Sequence, residues 1–430
     1  MSADVVNSPR DPAAPPPAPA GPARPTSPPR GATWRLTWHG VRTVAVLELR
    51  QRVRSTRWVI VLAVWFALLG GLTTLIRFAV HRALDPGQLG GAPDAAALQQ
   101  ATDRAAQAAG AMMFGIIVFL VLGLAGLVAP ALTATSVNGD RTAGVLATLQ
   151  TTLLSAAEIA VGKLLAAWAT ALALLATAVP FILWAYLEGG TSAGRLLVTV
   201  ALLAVMLLVV CAMALGWSAI AARTSTAAVL TYLSVALLGL GLPLLFAVTL
   251  PLVSSDEAVK VYQSAPISQD QPQDGSTMIY GCKVEVQTMS RSHTERVWWL
   301  LAANPFVVLA DAAPRPPADR GYSFGDDPLT AIRTGVREAR LGPAPVEDWC
   351  TGNSYTQTDP ATGAQVDSAV PTPPEITAAQ ERRNAELNGL GVVWPFGLAA
   401  DLVLAAGFVV LAIRRLRAPA RALPRGTRVA

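Results

Sequence analysis

Six apolar runs constrain this chain more than anything else in it. They lie near 58–76, 111–137, 164–187, 196–222, 226–253 and 390–413, and a single charged residue, Asp401, falls within them. About 20 apolar residues at 1.5 Å each suffice for a helix to cross the hydrocarbon core of a bilayer. A soluble helix of that length would need a polar face, and these runs have none. With 53% of its 430 residues hydrophobic and 14% charged, the chain reads as an all-α membrane protein with six transmembrane helices. No nucleic-acid partner is expected; membrane lipid is.

Charge sets the orientation. Residues 1–57 carry nine arginines against Asp4, Asp11 and Glu48, and 414–430 carry six arginines and no acid. Residues 253–390 hold eleven Lys/Arg and eighteen Asp/Glu. The positive-inside rule therefore predicts cytoplasmic termini and an extracytoplasmic 253–389 region. Thirty arginines against three lysines suggest a GC-rich bacterial genome, hence a bacterial plasma membrane.

The chain divides accordingly. Residues 1–33, with ten prolines in the first thirty positions, form a Pro-rich cytoplasmic tail. Residues 34–57 are predicted to be a basic amphipathic helix in the headgroup layer, with Trp38, Val41, Ala45, Leu49 and Val53 on one side. The region 58–252 holds five spans, at about 58–80, 111–137, 164–187, 196–222 and 226–252. The sixth occupies 390–413, and 414–430 is a basic cytoplasmic tail. Segment 297–312 is too short to span, and Asn304-Pro305 breaks it, so it is read as re-entrant or interfacial.

Between the second and third apolar runs lies a patterned polar island, 138–163. Asp140, Arg141, Gly144, Leu149, Leu153, Ser155, Glu158, Gly162 and Lys163 fall within it. Glu158, ahead of the third run, is expected to start a helix, where the dipole favours a carboxylate. The island resembles the first cytoplasmic loop of ABC transporter permeases of the ABC-2 exporter type. That resemblance implies an N-terminal elbow helix at 34–57, a cytoplasmic coupling helix in the island, and a hairpin before the last span. It also implies a separate ATPase subunit docking on Arg141, Gly144, Leu149, Leu153, Ser155, Glu158, Gly162 and Lys163, and a second permease chain, identical or different. Position 147 is Ala where many relatives carry Glu, and the size of 253–389 departs from the simplest relatives.

The chain itself offers little chemistry. Gly162-Lys163 ends like a phosphate-binding loop, but Ala157 and Leu164 occupy the positions of its first glycine and its magnesium ligand. ATP and magnesium would therefore bind the partner ATPase, and the chain is expected to be no enzyme. Cys282 and Cys350 share the predicted oxidising compartment, which allows a disulfide or two free thiols. Only His293 lies near them, so no metal site is expected. Asp401 is an intramembrane acid, either functional or bonded to a hydroxyl such as Thr231 or Ser234. A sensor or assembly protein with a ligand-binding outer region is the alternative reading, and an ATP-independent transporter a third.

Overall fold

The computed structural model of the chain describes residues 33–83, 95–134, 136–142, 154–266, 280–313, 327–352, 354–358 and 365–416. Helix α1 (Trp38–Val53) precedes α2 (Thr56–Ala83), α3 (Ala95–Thr133) and the short α4 (Asn138–Thr142). Then come α5 (Ala156–Leu187), α6 (Ala193–Ile220) and α7 (Thr224–Ala236), which runs through a π-turn at Leu237–Gly241 into α8 (Leu242–Thr249). Among the described residues, six helical stretches are long and apolar enough to cross a membrane: Trp58–Arg82, Leu98–Asp140, Ala156–Leu187, Ala193–Ile220, Thr224–Val253 and Pro374–Arg415. Helix α3 begins at Ala95, so the Ala- and Gln-rich residues ahead of the second apolar run are helical and continuous with it.

Lipid is as apolar as leucine, so close packing rather than water exclusion holds such helices together. The centre is α3, α5 and α6. Phe114 and Ile117, Leu174 and Ile182, and Leu203 and Met206 are all buried there, among small residues such as Ala160, Ala167, Ala171 and Ala178 that let backbones approach. The last helix, α13 (Trp394–Arg415), packs along α6. A side chain at Gly216 would collide with Phe408 of α13, so glycine is what permits that approach. By contrast, α7, the π-turn and α8 leave Val229, Leu233, Leu240, Leu244 and Val248 exposed.

The region between the fifth and sixth spans departs from the all-α expectation. Strand β1 (Ser254–Pro266) pairs antiparallel with β2 (Tyr280–Ser292), in register from Ser254 opposite Ser292 to Pro266 opposite Tyr280. It also pairs in parallel with β3 (Val346–Trp349), and β4 (Ser354–Thr358) with β5 (Gln365–Ala369) makes a separate ribbon. Val259 and Val261 alternate with period two and are buried on one face of β1, whereas Val284 and Val286 of β2 alternate likewise but are exposed. The segment 297–312 forms two short helices, α9 (Trp299–Ala302) and α10 (Pro305–Ala312). They part at Asn304, whose side chain caps α10 by accepting from the Phe306 and Val307 amides. Helices α11 (Pro328–Leu341) and α12 (Pro374–Gly389) complete the region.

Two buried ion pairs fasten this region to the spans. Arg195, at the start of α6, pairs with Asp327, the N-cap residue of α11, and both are at most 2% exposed. Arg337 of α11 donates from Nε to Asp311 Oδ1 at 2.7 Å, and Asp311 Oδ2 accepts the amides of Val393 and Trp394 where α13 begins. Removing one partner of such a pair strands a desolvated charge, at a cost of about 3–5 kcal/mol.

Cys282 and Cys350 are joined in a disulfide, with Cα atoms 5.6 Å apart and a sequence separation of 68. It ties β2 to the end of β3 across β1. Closing a loop of that length restricts the unfolded chain by about 4 kcal/mol in the entropic account. The expected outcome for Cys282→Ser is faster amide hydrogen exchange throughout β1–β3 with the exchange of α5 and α6 unchanged. In the unreduced wild-type protein, alkylation followed by mass spectrometry should find both thiols protected.

Candidate functional site

Residue Ser155 adopts extended backbone and caps α5, its hydroxyl accepting the Glu158 amide at 3.0 Å. In return Glu158 Oε2 accepts the Ser155 amide at 2.8 Å, completing a capping box. The helix start expected at Glu158 is therefore present. Both residues also reach beyond their own helix. Ser155 Oγ donates to the Arg35 carbonyl at 2.5 Å. Glu158 Oε1 accepts from the Thr37 amide at 2.9 Å and from its hydroxyl at 2.5 Å. Thr37 is itself the N-cap of α1, receiving the Gly40 amide at 3.2 Å. One carboxylate thus fixes the N-termini of two helices.

From there α1 and α5 run side by side in the same direction. A Cβ on Gly40 would sit 2.6 Å from the Glu158 carboxyl carbon, and one on Gly162 would sit 2.6 Å from Val44 Cβ. The face of α1 that meets α5 is therefore Gly40, Val41 and Val44, all buried, while Trp38 and Val53 of the expected apolar side are exposed.

The contact ends on Lys163, which is 1% exposed. Its ammonium pairs with Glu48 of α1 and Asp140 of α4, and donates to the Ser136 carbonyl at 3.0 Å. Three donors meet three acceptors, the arrangement under which a buried ammonium is tolerable. Lys163 thereby joins α5 to the N-terminal helix and to the first residues of the polar island.

Of the island residues singled out in sequence, Ser155, Glu158, Gly162 and Lys163 are thus buried and gathered on the α1–α5 seam. Arg141 lies in α4, its side chain outside the described residues, as are Gly144, Leu149 and Leu153 entirely. Thr37, Gly40 and Glu48 complete the seam and had no signal in the sequence beyond the isolated acid at 48. Asp401 is buried on α13, and its Oδ2 has no hydrogen-bond partner among the described residues. The hydroxyls considered for it are engaged elsewhere: Thr231 donates to the Ala227 carbonyl, and Ser234 donates to Leu230 and accepts from Trp217.

The sequence matches the family model described as ABC-2 family transporter protein over residues 42–289, more than half of the chain. The chain belongs to that family. It is therefore an ABC-2 type permease, a multi-pass membrane subunit, and in this family such a subunit normally works with an ATPase. The match takes in α1 from Arg42 onward, the first five spans and most of the β1–β2 hairpin, and so includes Glu48, Asp140 and Lys163. No curated protein sequence matches the permease.

Replacing Lys163 with Met should destabilise the permease by about 3–5 kcal/mol, because Glu48 and Asp140 would be left facing each other without a cation. Adding Glu48→Gln should restore part of the loss, since Asp140 is partly exposed and can be hydrated. Thermal unfolding followed by circular dichroism in mild detergent reads both effects.

Proposed function

We propose that this permease is the membrane half of an ATP-driven exporter, with ATP and magnesium held on a separate ATPase subunit that docks on the 138–163 island. In this reading α1 is the elbow helix at the inner leaflet, and both termini and the island are cytoplasmic. Residues 253–389 are extracytoplasmic, and 297–312 forms a hairpin entering the outer leaflet. The membrane is the bacterial plasma membrane, and the transport unit contains two permease chains, identical or different.

One observation supports the coupling reading above the rest. The buried Lys163 binds the start of the island, through Asp140, and the N-terminal helix, through Glu48, to the third span. A displacement imposed on the island cannot leave α1 and α5 behind without breaking a desolvated ion cluster. Coupling then divides into two tasks. Arg141, Gly144, Leu149 and Leu153 meet the ATPase, whereas Ser155, Glu158, Gly162 and Lys163 hold the lever to the spans and act as positioning residues. The exposed apolar face of α7 and α8 suits the second permease chain, and opening between the two chains would release substrate outward.

The experiment starts from tagged full-length permease purified from its own membranes, with the co-purifying ATPase identified and the pair reconstituted in vesicles. Arg141→Ala should leave the permease inserted and stable while weakening complex formation and the stimulation of ATP turnover. Glu158→Ala should lower stability, by about 1–3 kcal/mol for a buried carboxylate hydrogen bond, and uncouple ATP turnover with the complex still formed. Absence of any ATPase partner, or wild-type turnover in both variants, would overturn the coupling role.

Topology is checked independently. Cysteines introduced at Gly275 should be labelled by an impermeant reagent on intact cells, and those at Pro419 should not.

A further inference from the structure

A cavity of about 390 Å³ opens where α1, α2, α3, α4 and α5 meet. Its polar wall includes Glu48, Gln51, Arg52, Ser136 and Asp140. Trp58, Val61 and Leu132 line it as well, on the first turns of α2 and the last turn of α3, so the lining turns apolar toward the interior of the spans. Small-ligand sites occupy roughly 300–1,000 Å³, so the space exceeds what a few waters would need.

The charges on this wall are unevenly distributed. Behind the wall one lysine, Lys163, serves two carboxylates, Glu48 and Asp140, which leaves them one negative charge in excess. Arg52, one turn along α1 from Glu48, donates Nη1 to Thr170 Oγ1 at 3.1 Å and supplies a cation on the same wall. The cavity therefore offers an anionic corner and a cationic corner, beside an apolar lining at the depth where a span begins.

We propose that this cavity binds a phospholipid whose headgroup carries both a phosphate and a primary ammonium. The phosphate would take hydrogen bonds from Arg52. The ammonium would donate to Glu48 and Asp140, and the first methylenes of the chains would lie on Trp58, Val61 and Leu132. A quaternary ammonium has no N–H to give those carboxylates, and a purely anionic headgroup would meet their excess charge. The site rests on the chain spanning a membrane, which its family membership carries, and is independent of the ATPase reading. A guest here would touch α1, α4 and α5 through Glu48 and Asp140, the same groups that Lys163 holds.

The test places full-length permease in nanodiscs containing equal amounts of phosphatidylethanolamine, phosphatidylcholine and phosphatidylglycerol with identical acyl chains, and counts retained lipids by native mass spectrometry. Phosphatidylethanolamine should be enriched about tenfold over the other two, the scale of one charge-assisted hydrogen bond. Arg52→Gln should abolish the enrichment. Asp140→Asn should reduce the enrichment over phosphatidylcholine about threefold, because it removes one acceptor of the ammonium. If Arg52→Gln fails to fold, the Asp140→Asn comparison decides. Equal retention of the three lipids, or wild-type enrichment in Asp140→Asn, would overturn the site. Water-soluble phosphoethanolamine should not displace the bound lipid at matched concentration. Displacement would overturn the lipid as the natural source of the headgroup.

Discussion

Charge cannot be left alone where water is absent, and that rule organises both ends of this molecule. The buried cations Lys163, Arg195 and Arg337 mark places where non-spanning chain is attached to the helices, and each is paired with a carboxylate. Lys163 gathers α1 and α4 onto α5. Arg195 and Arg337 gather α11, α10 and the start of α13 at the opposite end. The apolar middle of the bundle contributes close packing but little direction, because its surfaces of Leu, Val and Ala resemble one another. Register comes from the polar pairs, each of which has one satisfactory partner set.

This division explains what could be read in advance. The spans were legible because their signal is local: twenty apolar residues need no knowledge of the rest of the chain. The start of α5 was legible for the same reason, since Ser155 and Glu158 satisfy each other within three residues. The disulfide was accessible by elimination, there being only two cysteines outside the apolar runs. Glu48–Lys163 and Arg195–Asp327 are separated by 115 and 132 residues, and nothing in local periodicity says which charge will meet which. The sheet had a signal in the alternating valines of 259–261 and 284–286, but only a few residues long and set among Ser, Gln and Asp. The burial of Lys163 was hidden for a related reason. Its neighbours in sequence are a polar island on one side and an apolar run on the other, and a helix entering a membrane looks the same whichever way a single lysine points.

The seam between α1 and α5 also shows how small residues and charges cooperate. Gly40 and Gly162 bring the two backbones near enough for Glu158 and Lys163 to reach across. With larger residues there, the carboxylate would lose Thr37 and the ammonium would lose Glu48. Packing and electrostatics are therefore not additive at this place, and variants at the two glycines would register as electrostatic defects although no charge had been altered.

The π-turn at Leu237–Gly241 has a geometric reach greater than its five residues. Asn304, at the break between α9 and α10, donates from Nδ2 to the Gly239 carbonyl at 2.8 Å, so the irregular turn is held by the neighbouring hairpin. A π-turn holds one residue more than the α-helical turn it replaces, and each residue of an α-helix advances the azimuth by about 100°. Helix α8 leads through Leu250–Val253 directly into β1. The extra residue therefore works as a setting on a dial: it fixes the compass bearing at which the β1–β2 hairpin leaves the membrane-spanning helix. Winding that turn back to regular α-helix would swing the hairpin about the helix axis by more than a quarter of a circle, away from the strand and helices it now meets.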